Sequence, residues 1–106
     1  MIYIVEDDIN IREMEEYALK NSGFQTMGFS DGESFFEECK TTLPNLVVLD
    51  IMLPGSDGLT ILKKLRQNDK TKKLPVIMVT AKTSEIDAVK ALDSGADDYI
   101  NKPFGI

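Results

Sequence analysis

The 106-residue chain contains no histidine and only one cysteine, Cys39. Because histidine is absent, a reaction that needs an imidazole base or metal ligand must take it from another molecule. A single cysteine cannot form a disulfide within the chain, so we expect a cytoplasmic location and a packing role for Cys39. No apolar run approaches the ~20 residues that cross a bilayer, so no membrane partner is expected.

The charge balance is acidic, with a formal net charge of −6. This balance argues against direct nucleic-acid binding by this segment. Half of the twelve basic residues fall between positions 63 and 73, which is typical of the solvated end of a helix. The length and a hydrophobic content of 42% predict a single soluble domain over residues 1–106.

Short apolar runs alternate with amphipathic segments along the chain. The runs predict five strands, at 2–5, 24–29, 46–50, 76–80 and around Tyr99 and Ile100, with helices between them, the last over 82–93. This alternation predicts an α/β fold, a doubly wound parallel sheet with helices on both faces. Capping boxes that begin at Asn10 and Ser30 are predicted to open the first two helices.

Acidic residues follow two of the predicted strands. Glu6 and Asp7 come directly after the first strand, and Asp50 ends the third. Because the carboxyl ends of parallel strands lie at one edge of the sheet, we expect these side chains to converge there. Three neighbouring carboxylates repel one another unless a cation lies among them, and their oxygens suit Mg²⁺. The sequence therefore predicts a magnesium site, with Asp50 as a nucleophile that accepts a phosphoryl group.

Residues that could stabilise a transferring phosphoryl group follow the other strands. Thr80 ends the fourth strand and offers a hydroxyl, and Lys102 follows the fifth strand and offers an ammonium group. The small Ala81 would leave space for the phosphoryl group and expose a backbone N–H to it. Each residue type alone is common at a strand end or helix start, so the ordered set is more specific than its members.

Together these motifs resemble the receiver domain of two-component response regulators, over the whole chain from Ile2 to Phe104. The resemblance is closest to the winged-helix (OmpR/PhoB-type) transcription-regulator subfamily. It is carried by Ile4-Val5-Glu6-Asp7, Leu49-Asp50-Ile51-Met52-Leu53-Pro54 with Asp57-Gly58, Val79-Thr80-Ala81, and Gly95-Ala96-Asp97-Asp98-Tyr99-Ile100 with Lys102-Pro103-Phe104. The family implies a flavodoxin-like fold with strand order 2-1-3-4-5.

The resemblance implies a phosphorylation-dependent signalling switch. Asp50 would accept the phosphoryl group from a partner sensor histidine kinase, and the chain would catalyse only its own phosphoryl uptake and loss, so it is not expected to be an enzyme. Asp8, one place after the acidic pair, is interpreted as a helix-start residue. The implied roles are Mg²⁺ ligation by Glu6 through water and by Asp7, Asp50 and the Met52 carbonyl, phosphoryl binding by the Met52 and Ala81 backbone, and catalysis or switching by Thr80, Lys102 and Tyr99.

The family also implies an output. The face formed by the fourth helix and fifth strand would change on phosphorylation and control a C-terminal output domain of the full-length protein, a DNA-binding regulator of transcription. Lys90, Asp97 and Asp98 occupy positions expected at a homodimer face. The chain ends before the family's fifth helix, so we expect a truncated domain that exposes apolar residues of the first helix and central strands.

Two other interpretations share parts of this pattern. A phosphatase with an aspartate nucleophile also uses Mg²⁺, but it usually carries a second aspartate two residues after the nucleophile, and here that position is Met52. A flavodoxin-like cofactor-binding module would need a phosphate-binding loop after the first strand, and Glu6-Asp7-Asp8 would repel phosphate there.

Overall fold

A computed structural model describes residues 1–50, 58–80 and 98–101, with Thr80 and residues 98–101 described by their backbone alone. The described elements are β1 (Ile2–Val5), α1 (Ile9–Asn21), β2 (Thr26–Phe29), α2 (Gly32–Thr41), β3 (Leu46–Asp50), α3 (Gly58–Gln67), β4 (Val76–Thr80) and β5 (Asp98–Asn101). They form a parallel sheet in the order β2-β1-β3-β4-β5. The predicted doubly wound α/β fold is therefore confirmed; the helix predicted over 82–93 lies outside the described residues.

The first two helices begin at aspartates and not at the predicted capping boxes. The Asp8 carboxylate accepts hydrogen bonds from the backbone N–H groups of Asn10 and Ile11, at 2.9 and 3.2 Å. The Asp31 carboxylate accepts from the N–H of Ser34 at 2.8 Å. The capping boxes at Asn10 and Ser30 are wrong because an aspartate takes the N-cap position of each helix, and the helices then start at Ile9 and Gly32. Asp8 as a helix-start residue is confirmed.

The end of α1 shortens the second strand. The N–H groups of Ser22 and Phe24 both donate to the carbonyl of Leu19, and Gly23 adopts a φ of +94° that favours glycine. Phe24 therefore belongs to the turn that closes α1. β2 starts at Thr26, two residues later than predicted.

The larger part of the core lies between the sheet and the pair α2 and α3. Tyr3, Phe29 and Phe35 pack edge to face there, with ring centroids 5.1 to 6.3 Å apart. The Tyr3 hydroxyl donates to the Thr42 carbonyl at 2.9 Å, so the ring brings no unsatisfied polar group into the core. The three rings therefore join β1, β2 and α2 in one packed cluster.

The opposite face of the sheet carries a smaller cluster. Ile4, Val48 and Val79 are at most 2% exposed there, and Leu19 and Leu46 pack against them. The part of the expectation that concerns exposed apolar residues of the central strands is therefore wrong in the structure. In α1, Ile9 is 55% exposed and Tyr17 is 65% exposed. Burial on both faces also explains why β1 and β3 read as continuous apolar runs.

The described helices are short. α1 has 13 residues, and α2 and α3 have 10 each. In the described part of the chain, none of the helices combines the length and the apolar character that crossing a bilayer requires.

Replacing Phe35 by alanine should lower the free energy of unfolding by about 3–5 kcal/mol, because a fully buried ring is lost and a cavity remains. Urea denaturation followed by circular dichroism measures this loss. The matched control is Phe24→Ala: Phe24 is 53% exposed, and its replacement should cost less than about 1 kcal/mol. Equal losses in the two variants would contradict this account of the core.

Cys39 should react slowly in the folded chain. Partial burial, aided by the charge of Glu38, raises the pKa of its thiol from 9.0 to about 11. Since the thiolate is the reactive form, its fraction at pH 8 falls about a hundredfold. Iodoacetamide should therefore alkylate the folded chain far more slowly than the urea-unfolded chain, with a rate that still rises above pH 10. Equal rates for the two states at pH 8 would show that burial does not protect this thiol.

Candidate functional site

The register of β1 and β3 brings the acidic residues together. Val5 lies opposite Leu49 in this parallel pair, so Glu6 and Asp50 follow at the same level of the sheet. The N–H of Glu6 donates to the carbonyl of Phe29 at 2.9 Å, which extends the β1–β2 pairing by one residue. The side chains of Glu6 and Asp50 therefore emerge from backbone held by neighbouring strands.

The three carboxylates form a compact group, which we call the acidic cluster: Glu6, Asp7 and Asp50. One carboxylate oxygen from each residue lies within 4.8 Å of the other two. Glu6 is 1% exposed and Asp50 is 2% exposed, whereas Asp7 is open to solvent. Hard oxygen donors of this kind, with one side open to water, fit a small divalent cation that keeps part of its hydration shell. The cluster can therefore hold a metal ion.

The loop between β1 and α1 fixes Glu6 through its own backbone and side chain. The N–H of Asp8 donates to Glu6 Oε2 at 3.2 Å, while the Asp8 carboxylate caps α1. Arg12 Nη1 donates to the Glu6 carbonyl at 2.8 Å. Sequence reasoning missed both contacts to Glu6. The sequence does contain a signal for Arg12: it is a basic residue in the first turns of a helix that follows an acidic strand end.

The remaining predicted phosphoryl-binding residues are only partly within the described structure. Thr80 ends β4, whose Val79 lies opposite Asp50, so the Thr80 backbone is close to the cluster, but its side chain is outside the description. Tyr99 lies in β5 opposite Met78, again described by its backbone alone. Outside the described residues altogether are Met52, Ala81 and Lys102.

The predicted dimer residues are also described only in part. The backbone of Asp98 begins β5 and pairs with Ile77 of β4. Lys90 and Asp97 lie outside the described residues, so the homodimer face stays a prediction.

Comparison with known proteins assigns the family. A family profile described as the response regulator receiver domain matches residues 2–106. The chain belongs to the response regulator receiver family. This membership decides against the phosphatase and cofactor-module interpretations, and it places the receiver domain in two-component signal transduction.

Individual relatives agree with this assignment. The phosphate regulon transcriptional regulatory protein PhoB of Escherichia coli K12 is 43% identical over 103 residues, which are 97% of this chain and 45% of PhoB. This receiver domain thus spans less than half the length of that relative. The crystal structure of the NtrX receiver domain from Brucella abortus superposes with a TM-score of 0.92 at 34% identity, over 99% of this chain and 88% of that one.

One of the similar solved structures is a metal-bound form. The Mn²⁺-bound form of the response regulator Rcp1 superposes with a TM-score of 0.85 at 26% identity, over 99% of this chain and 82% of that one.

Replacing Asp50 by asparagine should stabilise the receiver domain when divalent cations are absent. Removing one charge from the cluster relieves repulsion worth about 1–3 kcal/mol in the free energy of unfolding. Millimolar MgCl₂ should stabilise the parent chain, because a ligand that binds only the folded state raises its stability, and should leave the variant almost unchanged. Urea denaturation in EDTA and in MgCl₂ measures both effects.

Asp69→Asn is the matched control for that experiment, because the Asp69 side chain is 96% exposed and lies on the connection after α3. It should respond to MgCl₂ as the parent does. If Asp50→Asn gained as much stability from MgCl₂ as the parent, the cluster would not be the cation site.

Proposed function

We propose that this receiver domain is a phosphorylation-dependent switch in which Asp50 accepts a phosphoryl group from a sensor histidine kinase. The observation that carries the proposal is the acidic cluster, in which the buried Asp50 lies beside two further carboxylates at the carboxyl edge of the sheet. In a member of the receiver family this arrangement supports Asp50 as the acceptor. The phosphohistidine would lie outside these 106 residues, because they contain no histidine.

In the proposed transfer, a carboxylate oxygen of Asp50 attacks the phosphorus atom of a phosphohistidine. The new O–P bond forms as the P–N bond breaks, and the electron pair of that bond stays with the imidazole ring, which takes up a proton. Asp50 needs no general base, because an ionised carboxylate has no proton to lose. The last four residues of β3, which end at Asp50, are buried, and this burial would hold the nucleophile in one pose.

Mg²⁺ is the proposed cofactor. Asp7, Asp50 and the Met52 carbonyl would hold it, with Glu6 acting through water. Bound there, it would neutralise the negative charge that collects on the phosphoryl oxygens and the carboxylates. The donor set supports this assignment, since it offers oxygen ligands only, and a related response regulator, Rcp1, is known in a Mn²⁺-bound form.

The remaining proposed roles are those that family membership suggests. Thr80 would bind a phosphoryl oxygen, the Met52 and Ala81 backbone would contact the group, and Lys102 would pair with its charge. Tyr99 would turn as Thr80 moves and so alter the face formed by the fourth helix and β5. The domain would catalyse only its own phosphoryl uptake and loss and would not be an enzyme acting on other substrates.

The proposed output is regulation of transcription in the cytoplasm. PhoB, a transcriptional regulatory protein, continues well beyond the part that this chain matches, which supports an output domain in the full-length protein. We propose that this output domain binds DNA. A homodimer through Lys90, Asp97 and Asp98 would couple phosphorylation to that output.

Incubation with Mg²⁺ and acetyl phosphate, followed by intact mass measurement, tests the acceptor. The parent chain should gain one phosphate, because the P–O bond of acetyl phosphate breaks and acetate leaves as Asp50 attacks. Alkali should remove the adduct, as expected for an acyl phosphate. EDTA should prevent its formation.

Asp50→Asn should show no adduct. Asp69→Asn should react like the parent, because Asp69 is exposed and lies far along the chain from the cluster. An adduct of equal yield on Asp50→Asn would overturn Asp50 as the acceptor.

A further inference from the structure

We propose that Arg12 is a positioning residue for the acidic cluster and raises its affinity for the divalent cation. It would do so by holding the peptide that joins Glu6 to Asp7. The inference rests on the proposed function, because it concerns the cation that the phosphoryl transfer would use.

The backbone of Glu6 is held on both sides of the residue. Its N–H donates to Phe29 in the last bond of the β1–β2 ladder, at 2.9 Å. Its carbonyl accepts instead from the guanidinium group of Arg12, at 2.8 Å. Since the peptide group is planar, fixing this carbonyl also fixes the direction in which the chain continues to Asp7. One contact from α1 therefore orients two of the three carboxylates.

The path of the Arg12 side chain depends on a glycine in the edge strand. A Cβ atom added at Gly28 would lie 2.8 Å from Arg12 Cδ, 3.1 Å from Glu16 Oε1 and 3.2 Å from Arg12 Cγ, so two of its three nearest atoms belong to Arg12. The aliphatic part of Arg12 thus crosses β2 where the strand has no side chain, and its guanidinium group reaches the end of β1. Larger residues at position 28 would displace this stem.

The charge of Arg12 and its hydrogen bond act in opposite directions on cation binding. The positive charge disfavours a second cation nearby, but Arg12 is partly exposed, so water and salt weaken that repulsion. Water and salt do not weaken the effect of carboxylate orientation in this way, because that effect is geometric: Mg²⁺ requires near-octahedral ligands at short distances. We therefore expect the loss of orientation to dominate when Arg12 is replaced.

The test is a calorimetric titration of the unphosphorylated 106-residue chain with MgCl₂. Arg12→Met should weaken Mg²⁺ binding about tenfold, as is usual when a group that supports metal ligands is removed. Arg12→Lys should recover part of the affinity, because its ammonium group can donate to the same carbonyl.

Arg66→Met is the matched control. Arg66 also donates its guanidinium group to backbone carbonyls, those of Lys72 and Leu74, but it does so at the end of α3. Its replacement should lower the stability of the chain and leave Mg²⁺ affinity unchanged. An equal loss of affinity in Arg66→Met would mean that general destabilisation explains the effect, and it would overturn the proposal.

Gly28→Ala provides an independent variant that leaves every charge in place. It should weaken Mg²⁺ binding in the parent chain by displacing the Arg12 stem, and it should have no further effect in Arg12→Met. Additive effects of the two substitutions would contradict an action through Arg12.

The outcomes separate this inference from the proposed function. Unchanged Mg²⁺ affinity in Arg12→Met, with phosphorylation of Asp50 intact, would overturn the positioning role and leave the proposed function standing. Absence of Mg²⁺ binding by the parent chain, together with no adduct on Asp50, would overturn both.

Discussion

Electrostatic repulsion at the carboxyl edge of the sheet is the constraint around which this domain is built. Glu6 and Asp50 are almost fully buried, and the acidic cluster places an oxygen of each residue within 4.8 Å of the others. Burying charge so close to like charge opposes folding unless other groups or a cation compensate. The apolar residues of β1 and β3, which are buried on both faces, supply the stability that keeps these carboxylates together.

The connection from β1 to α1 shows how one short segment serves both the fold and the site. Asp8 caps α1 with its carboxylate and supports Glu6 with its backbone N–H. Arg12 returns from the first turns of the same helix to the Glu6 carbonyl. Because these contacts share residues, α1 cannot shift along the sheet without disturbing the cluster. The position of the helix and the geometry of the carboxylates are therefore coupled.

The sequence predicted the parts of the structure that depend on continuous burial and on chain direction. β1, β3 and β4 were predicted at their observed bounds because each is an apolar run, and Glu6 and Asp50 were placed at one edge because parallel strands share a direction. The predicted start of β2 is wrong because the N–H of Phe24 donates to the Leu19 carbonyl at the end of α1, a hydrogen bond that the residue type of Phe24 does not indicate. The contact of Arg12 with Glu6 was missed because it requires the path across Gly28, a tertiary feature.

The absence of histidine has a consequence for how the site can be controlled. No side chain of the sequence has an ordinary pKa between about 5 and 8, and burial raises the pKa of the single thiol, Cys39, to about 11. When the pH changes near neutrality, therefore, no histidine and no thiol of this domain changes its charge and so alters the net charge near the acidic cluster. Positive charge must come instead from a bound cation or from the lysines and arginines, whose charges are constant in this range. Of these sources, a bound divalent cation would bring the largest single charge to the acidic cluster.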